Sequence, residues 1–321
     1  MSTSPLRIVF FGTPDFAAAS LLALSDSVHN IVGVVTAPDR PAGRGQKLQP
    51  SEVKQVAQRL NLPLAQPLKL RAPEFHAQLD QWNADLFIVV AFRMMPEVVW
   101  RKPSIGTVNI HGSLLPDFRG AAPIQHAVAS GATRTGVTSF FITQDIDTGA
   151  ILLQQSMAIG PNENSGEVYG RLMRSGGALA VDTADALANA KLQGVDQSLL
   201  MTGEERPAPK LFRQDGRIDW RKSPKHVSDF IRGMTPYPGA WTTLNGATLK
   251  IRSTAFPAVE HALPELAPGQ CHVEGEQWYV GTHGAPLLLL EVQLAGKPFL
   301  AASDVLRGYR YPIESLGTDG H

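Results

Sequence analysis

Hydrophobic residues along this chain gather in short runs separated by segments of helical spacing. Leu6–Phe11, Asn30–Thr36, Leu86–Phe92 and Gly106–His111 are nearly continuous apolar stretches of strand length. Such runs read as strands buried on both faces. Between them, Asp15–Leu24, Ser51–Leu60 and Pro73–Trp82 read as helices, with a short strand near Pro63–Ala65. Thr135–Thr143 and Ile151–Ala158 add two strands around an Asp145–Gly149 turn, and Ser165–Ala190 reads as a long helix. This alternation predicts an α/β domain over 1–190, with a mostly parallel sheet covered on both sides. The pattern then fails: Gly194, Gly203, Pro207 and Pro209 mark a linker, placed at 191–208. A helix at Ser223–Gly233 follows. Short strands at Ala240–Leu244, Thr248–Thr254, Gly269–Val273, Gln277–Gly281 and Leu287–Gln293 then predict a small β-barrel within 209–321.

Length supports two domains, since 321 residues are many for one core. No apolar run approaches the ~18 residues of a bilayer span, and the N-terminus lacks signal-peptide features. The single cysteine, Cys271, excludes an internal disulfide and a cysteine-rich zinc site. A cytoplasmic protein without a membrane partner is expected. The histidines other than His111 show no metal-ligand spacing, so no metal is expected. Basic and acidic side chains balance at 29 each, which gives no field for wholesale nucleic-acid binding; any such contact must be local. Lys210–Arg232 is a weak basic stretch, interrupted by Asp215, Asp219 and Asp229, and reads as a solvated face.

The candidate chemistry lies at strand ends. Asn109 and His111 stand two apart on a strand, so they share a face and can converge on one group. Ligands of parallel sheets sit at the carboxyl ends of strands, where His111 falls. A Gly-Ser turn follows, and Leu114-Leu115-Pro116 offers an apolar slot for a flat ligand. Asp145 and Asp147 compete for an acid role in the turn Asp145-Ile-Asp-Thr-Gly149, which is also good turn chemistry. An amide, an imidazole and a carboxylate suit transfer through a tetrahedral intermediate. The Gly12-Thr-Pro14 turn is no dinucleotide fingerprint, which argues against hydride transfer. The polar loop around Arg40, Arg44 and Lys47 is long for a strand–helix connection and fits either a phosphate-tracking loop or a solvated surface one.

Together these segments resemble the methionyl-tRNA formyltransferase family. The likeness is carried by Phe10-Phe-Gly-Thr-Pro-Asp-Phe16, Pro38-Asp-Arg-Pro-Ala-Gly-Arg-Gly45, Asn109-Ile-His-Gly-Ser-Leu-Leu-Pro116, Arg119-Gly-Ala-Ala-Pro-Ile124 and Asp147-Thr-Gly149. In the second domain, Asp215-Gly-Arg-Ile-Asp-Trp220 and Pro236-Tyr-Pro-Gly-Ala240 extend it. The resemblance implies a Rossmann-like formyltransferase domain joined by a linker to an OB-like barrel. It implies formyl transfer from 10-formyltetrahydrofolate, the co-substrate, to the α-amine of methionyl initiator tRNA, by a monomer that uses no metal. Asn109, His111 and Asp147 then fall at catalytic positions, and Ser113, Leu114, Leu115 and Pro116 on the folate-binding segment. Arg40, Arg44 and Lys47 fall on the loop that engages the acceptor arm. Ala91-Phe-Arg-Met-Met-Pro96 departs from the family pattern near the pterin pocket, and the barrel is less basic than expected. The alternatives are another folate-dependent formyltransferase acting on a small amine, or a non-catalytic RNA-binding protein.

Overall fold

A computed structural model of the chain describes residues 4–42, 47–190, 192–201, 203–258 and 263–317. Seven strands form the main sheet: β1 (Arg7–Gly12), β2 (Asn30–Val35), β3 (Leu64–Ala65), β4 (Leu86–Val90), β5 (Gly106–His111), β6 (Arg134–Phe141) and β7 (Ile151–Ala158). Their order is β3-β2-β1-β4-β5-β6-β7. The first five pair in parallel, whereas β6 runs antiparallel to β5. The order reverses between β1 and β4. That is the switch point where ligands of such sheets gather, outside the carboxyl ends of the strands.

Continuous apolar strands are what a doubly covered sheet demands. Val9, Phe11, Phe87 and Val89 pack on Phe75 and Leu79 of helix Pro73–Trp82. On the opposite face, Ile110 lies near Gly176 of the long helix Ser165–Ala188, which also meets Phe16. The sheet therefore holds Asn109 and His111 near the carboxyl end of an internal strand rather than on a loop. The predicted strand through Phe92 stops at Val90, because Ala91 turns out with φ +47°.

The second architecture is antiparallel. Its strands are β8 (Ala240–Leu244), β9 (Ala247–Ala255), β10 (Cys271–Glu274), β11 (Gln277–Val280) and β12 (Leu287–Leu294), in the order β8-β9-β12-β11-β10. Asn245 and Gly246, both at positive φ, make the tight β8–β9 turn that an Asn-Gly pair favours. The two edge strands are joined by the segment 314–317: Leu316 bridges Leu244 beside β8, and Ser315 bridges Gln270 beside β10. Cys271 N–H donates to Glu314 O at 2.8 Å, and Gly317 N–H to Thr243 O at 2.9 Å. This stitch closes the sheet into a barrel around Trp278, Leu289 and Val292 and removes its open edges. The sequence pattern shows no strand at 314–317, because one short pairing segment has no period to read.

By contacts the chain divides into two units that cut across its order. One comprises 1–120, 135–157 and 170–207; the other comprises 121–134, 158–169 and 208–321. The reason lies in the helix Pro123–Ala129, which sequence periodicity is too short to reveal. It packs on helix Pro224–Met234 so closely that a Cβ on Gly233 would lie 2.6 Å from the Ala129 nitrogen. Ser165 Oγ also donates to Thr235 O at 2.6 Å. The segment 192–201, read as linker, belongs by contacts to the first unit.

Leu316 is 3% exposed in the barrel core. Leu316→Ala is expected to cost about 2–5 kcal/mol of stability in denaturant melts, because it opens a cavity at the closing stitch. A loss below about 0.5 kcal/mol would show that the segment does not seal the barrel.

Candidate active site

Strand β5 sets the first part of the site. Its register places Asn109 opposite Phe140 and His111 opposite Thr138. His111 is buried and meets the Phe140 ring edge-to-face at 6.4 Å. Its Nε2 donates to Phe118 O at 2.9 Å. A carbonyl only accepts, so this bond puts the proton on Nε2. Nδ1 therefore faces the Asp147 carboxylate, 3.8 Å from Oδ2. That separation is too long for a hydrogen bond, yet it leaves the carboxylate beside the ring nitrogen. The Asn109 amide, half-buried, has no hydrogen-bond partner among the described residues.

The Phe118 carbonyl is itself held. Phe118 sits at φ +60°, donates its N–H to Arg206 O at 2.6 Å, and lies under the Arg206 guanidinium at 4.8 Å. Arg206 also forks onto the Asp117 carboxylate, and that pairing raises its pKa above the usual value. Neither Phe118 nor Arg206 carries a sequence signal for this role.

Of the two aspartates the sequence left open, Asp147 faces His111, while Asp145 is exposed. Asp147 adopts φ +54°, a left-handed conformation that Asp and Asn tolerate better than most residues. Its Oδ2 accepts the Gly120 N–H at 2.9 Å. Thr143 and Thr148 hydroxyls cap Asp145 O at 3.3 and 3.1 Å and tighten the turn. Gly149 closes it where no side chain fits: a Cβ there would lie 1.7 Å from Phe141 O.

Residues 113–116 form a loop with much of its own bonding internal. Ser113 is fully buried and donates to Asp117 O at 2.6 Å. Thr138 Oγ1 donates to Ser113 O at 2.6 Å and accepts the Leu115 N–H at 3.1 Å. Gln154 donates to Leu115 O at 2.8 Å. Leu115 packs with Phe140 and Ile151, leaving Leu114 and Pro116 half-buried. Any ligand along this loop meets its main chain and those two side chains more readily than Ser113 or Leu115. Thr138 and Gln154, which hold the loop in place, were invisible in the sequence.

The basic loop contains a hairpin, Arg40–Ala42 pairing antiparallel with Lys47–Gln49. Arg40 is exposed; Arg44 lies outside the described residues, and for Lys47 only the backbone is described. Asp39 is bound by Lys54 at 2.6 Å and Gln66 at 2.8 Å, contacts that hold its carboxyl below the usual range. Its charge is thus already matched. Arg93, in the segment that departs from the family pattern, donates to Pro67 O and Leu68 O. Burial first, and the charge of Arg40 second, push its pKa down.

Residues 6–183 match the formyl transferase family, and 210–310 match the formyl transferase C-terminal domain. The chain belongs to the formyltransferase family. It is 46% identical over 317 residues to a methionyl-tRNA formyltransferase of Bacteroides fragilis, covering 96% of this chain and 97% of that protein. A Flavobacterium johnsoniae protein of the same name is 40% identical over 316 residues, covering 97% and 98%. In fold, the chain is similar to an N-formyltransferase of Helicobacter canadensis solved with folinic acid and dTDP-3-aminofucose. The TM-score is 0.65 at 16% identity, over 88% of this chain and 98% of that one. The Rossmann-like sheet and the barrel expected for a formyltransferase are therefore present. Among the described residues, no cluster of three potential metal ligands occurs and no helix is long and apolar enough to cross a membrane.

Gly149→Ala is expected to destabilise the protein by about 1–3 kcal/mol in urea melts, since the turn cannot take a methyl without backbone movement. Unchanged stability with unchanged activity would show that the turn does not depend on this close approach.

Proposed function

We propose that this chain transfers the formyl group of 10-formyltetrahydrofolate to the α-amino group of methionine on initiator tRNA, with Asn109, His111 and Asp147 as the working groups. The observation that carries the reading is the approach of His111 Nδ1 to 3.8 Å from the Asp147 carboxylate, at the end of the strand that also bears Asn109 two residues earlier. Near-full-length relatives that bear the methionyl-tRNA formyltransferase name supply the substrates.

The chemistry follows from the geometry. An α-amine beside an ester is less basic than the ~7.7–8.0 of a chain terminus, so much of it is neutral near pH 7. Its lone pair attacks the formyl carbon, a C–N bond forms, and the carbonyl π pair moves onto oxygen. The Asn109 amide donates to that oxyanion; one such donor is worth about 2.7–4 kcal/mol of barrier. With Nε2–H committed to Phe118 O, His111 Nδ1 takes the proton the amine loses. The Asp147 carboxylate balances the resulting charge. The intermediate then collapses, the bond to folate N10 breaks, and Nδ1 returns the proton to that nitrogen.

The loop 113–116 is the proposed folate segment, with Leu114 and Pro116 presenting apolar surface and the main chain offering hydrogen bonds. Arg40, Arg44 and Lys47 are the proposed contacts to the acceptor arm, whose phosphates such side chains recognise. This local arrangement suits a chain with no net charge. Action in the cytoplasm as a monomer is part of the same proposal.

The test is transfer of labelled formyl from 10-formyltetrahydrofolate to charged initiator and elongator methionine tRNAs. The full chain should formylate the initiator by a large margin. Asn109→Ala should lower the single-turnover rate about 10²–10³-fold. Asp147→Asn, which keeps a residue suited to positive φ, should lower it about 10²-fold without loss of stability. Wild-type rates in both variants would remove the mechanism, and transfer to a small amine in place of either tRNA would favour the other formyltransferases.

Arg44→Ala should weaken use of charged tRNA several-fold, leave KM for the folate unchanged, and reduce the slope of log kcat/KM against log salt by about one. An unchanged salt slope would take Arg44 out of the phosphate contact.

A further inference from the structure

Gln197 lies in the segment that the sequence presents as a linker, yet it is 1% exposed. Its side-chain amide is fully engaged. Nε2 donates to Asp147 O at 2.9 Å and to Gly149 O at 2.8 Å. Oε1 accepts from Arg119 Nε at 3.1 Å and from Nη2 at 2.8 Å. Two donors and two acceptor sites are all that a glutamine side chain has. The backbone around it is stitched to the start of β7, where Ile151 and Val195 exchange both N–H···O bonds at 2.8 Å.

These contacts close a ring. Gly120 N–H holds the Asp147 carboxylate from one side, and the neighbouring Arg119 side chain holds Gln197, which grips the main chain of Asp147 from the other. Arg119 Nη1 is itself steadied by Glu205 at 3.1 Å. Asp147 is in the left-handed region, where few other forces hold an L-residue. A rotation of the 147–149 turn would strip two carbonyls of a buried donor, and such losses are expensive.

We propose that Gln197 is a positioning residue for formyl transfer: by clamping the Asp147 and Gly149 carbonyls, it fixes where the Asp147 carboxylate stands relative to His111 Nδ1. This rests on the reading that Asp147 acts on His111. A purely structural Gln197 would lower stability or substrate binding, whereas a positioning residue lowers kcat and does so only through Asp147.

The experiment uses the full chain with 10-formyltetrahydrofolate and charged initiator tRNA. Gln197→Met keeps the volume without donors; Gln197→Glu keeps acceptors for Arg119 and removes the N–H donors. Each is measured in the wild-type and in the Asp147→Asn background. Both variants should lower kcat about 10- to 100-fold while each KM stays within about twofold. In the Asp147→Asn background, each should lower kcat by less than about twofold further, because coupled residues do not add. Should Gln197→Met fail to fold, Arg119→Lys, which loses the two-pronged grip on Oε1, carries the same comparison. An unchanged kcat, or an equal loss in both backgrounds, overturns the clamp while leaving the role of Asp147 standing. An undiminished kcat in Asp147→Asn alone overturns the underlying reading, and the clamp with it.

Discussion

The closed set of hydrogen bonds around the Asp147 turn is the constraint on which the site depends. A carboxylate 3.8 Å from an imidazole nitrogen is useful only if neither can drift. His111 is fixed because it ends a central strand and because Nε2 is tied to Phe118 O. Asp147 has no strand to hold it. It is fixed by Gly120 N–H at its carboxylate, by Gln197 at its carbonyl, and by the absence of a side chain at Gly149. Reacting groups must be held in position and orientation for proton transfer, so small displacements matter.

The segment 117–120 serves both partners. Its Phe118 carbonyl orients the imidazole, and its Gly120 amide orients the carboxylate. One loop thereby sets the separation between two groups that come from β5 and from the turn after β6. The loop is in turn anchored by Arg206, through the Asp117 ion pair and the Phe118 main chain. Arg206 and Gln197 belong to a stretch with almost no regular structure. Its irregularity is what lets it reach several separate segments at once.

Much of the scaffold was legible from the sequence, and the reason is periodicity. Strands β1, β2, β4 and β5 are runs of apolar residues because both faces are covered, and the alternation of β8 follows from a barrel with one wet face. The Asn109–His111 pair was legible because a strand repeats every two residues. Contacts made by irregular segments leave no such trace. Gln197 is a polar residue between glycines and prolines, the stitch at 314–317 is four residues long, and helix Pro123–Ala129 is two turns. Turn chemistry alone likewise left Asp145 and Asp147 open, since both suit the turn and only their directions differ; the family resemblance pointed to Asp147. The resemblance to a family proposes where the chemistry lies, but it does not say what holds it in place.

Pinning one imidazole nitrogen has a mechanistic consequence. A histidine free to rotate could offer either nitrogen to a proton, and the offered one would change with the state of the reaction. Here Nε2–H is committed to a carbonyl that cannot reverse the bond's polarity. In the proposed mechanism the remaining nitrogen is therefore the acceptor when the amine is deprotonated and the donor when folate N10 departs. One site performs both halves of the proton transfer, so no ring flip is needed between them. In the same proposal the Asn109 amide, on the same strand face, is left to the oxyanion alone. The proposed division of labour between two residues two positions apart thus rests on a single carbonyl, that of Phe118, placed by a loop with no regular structure.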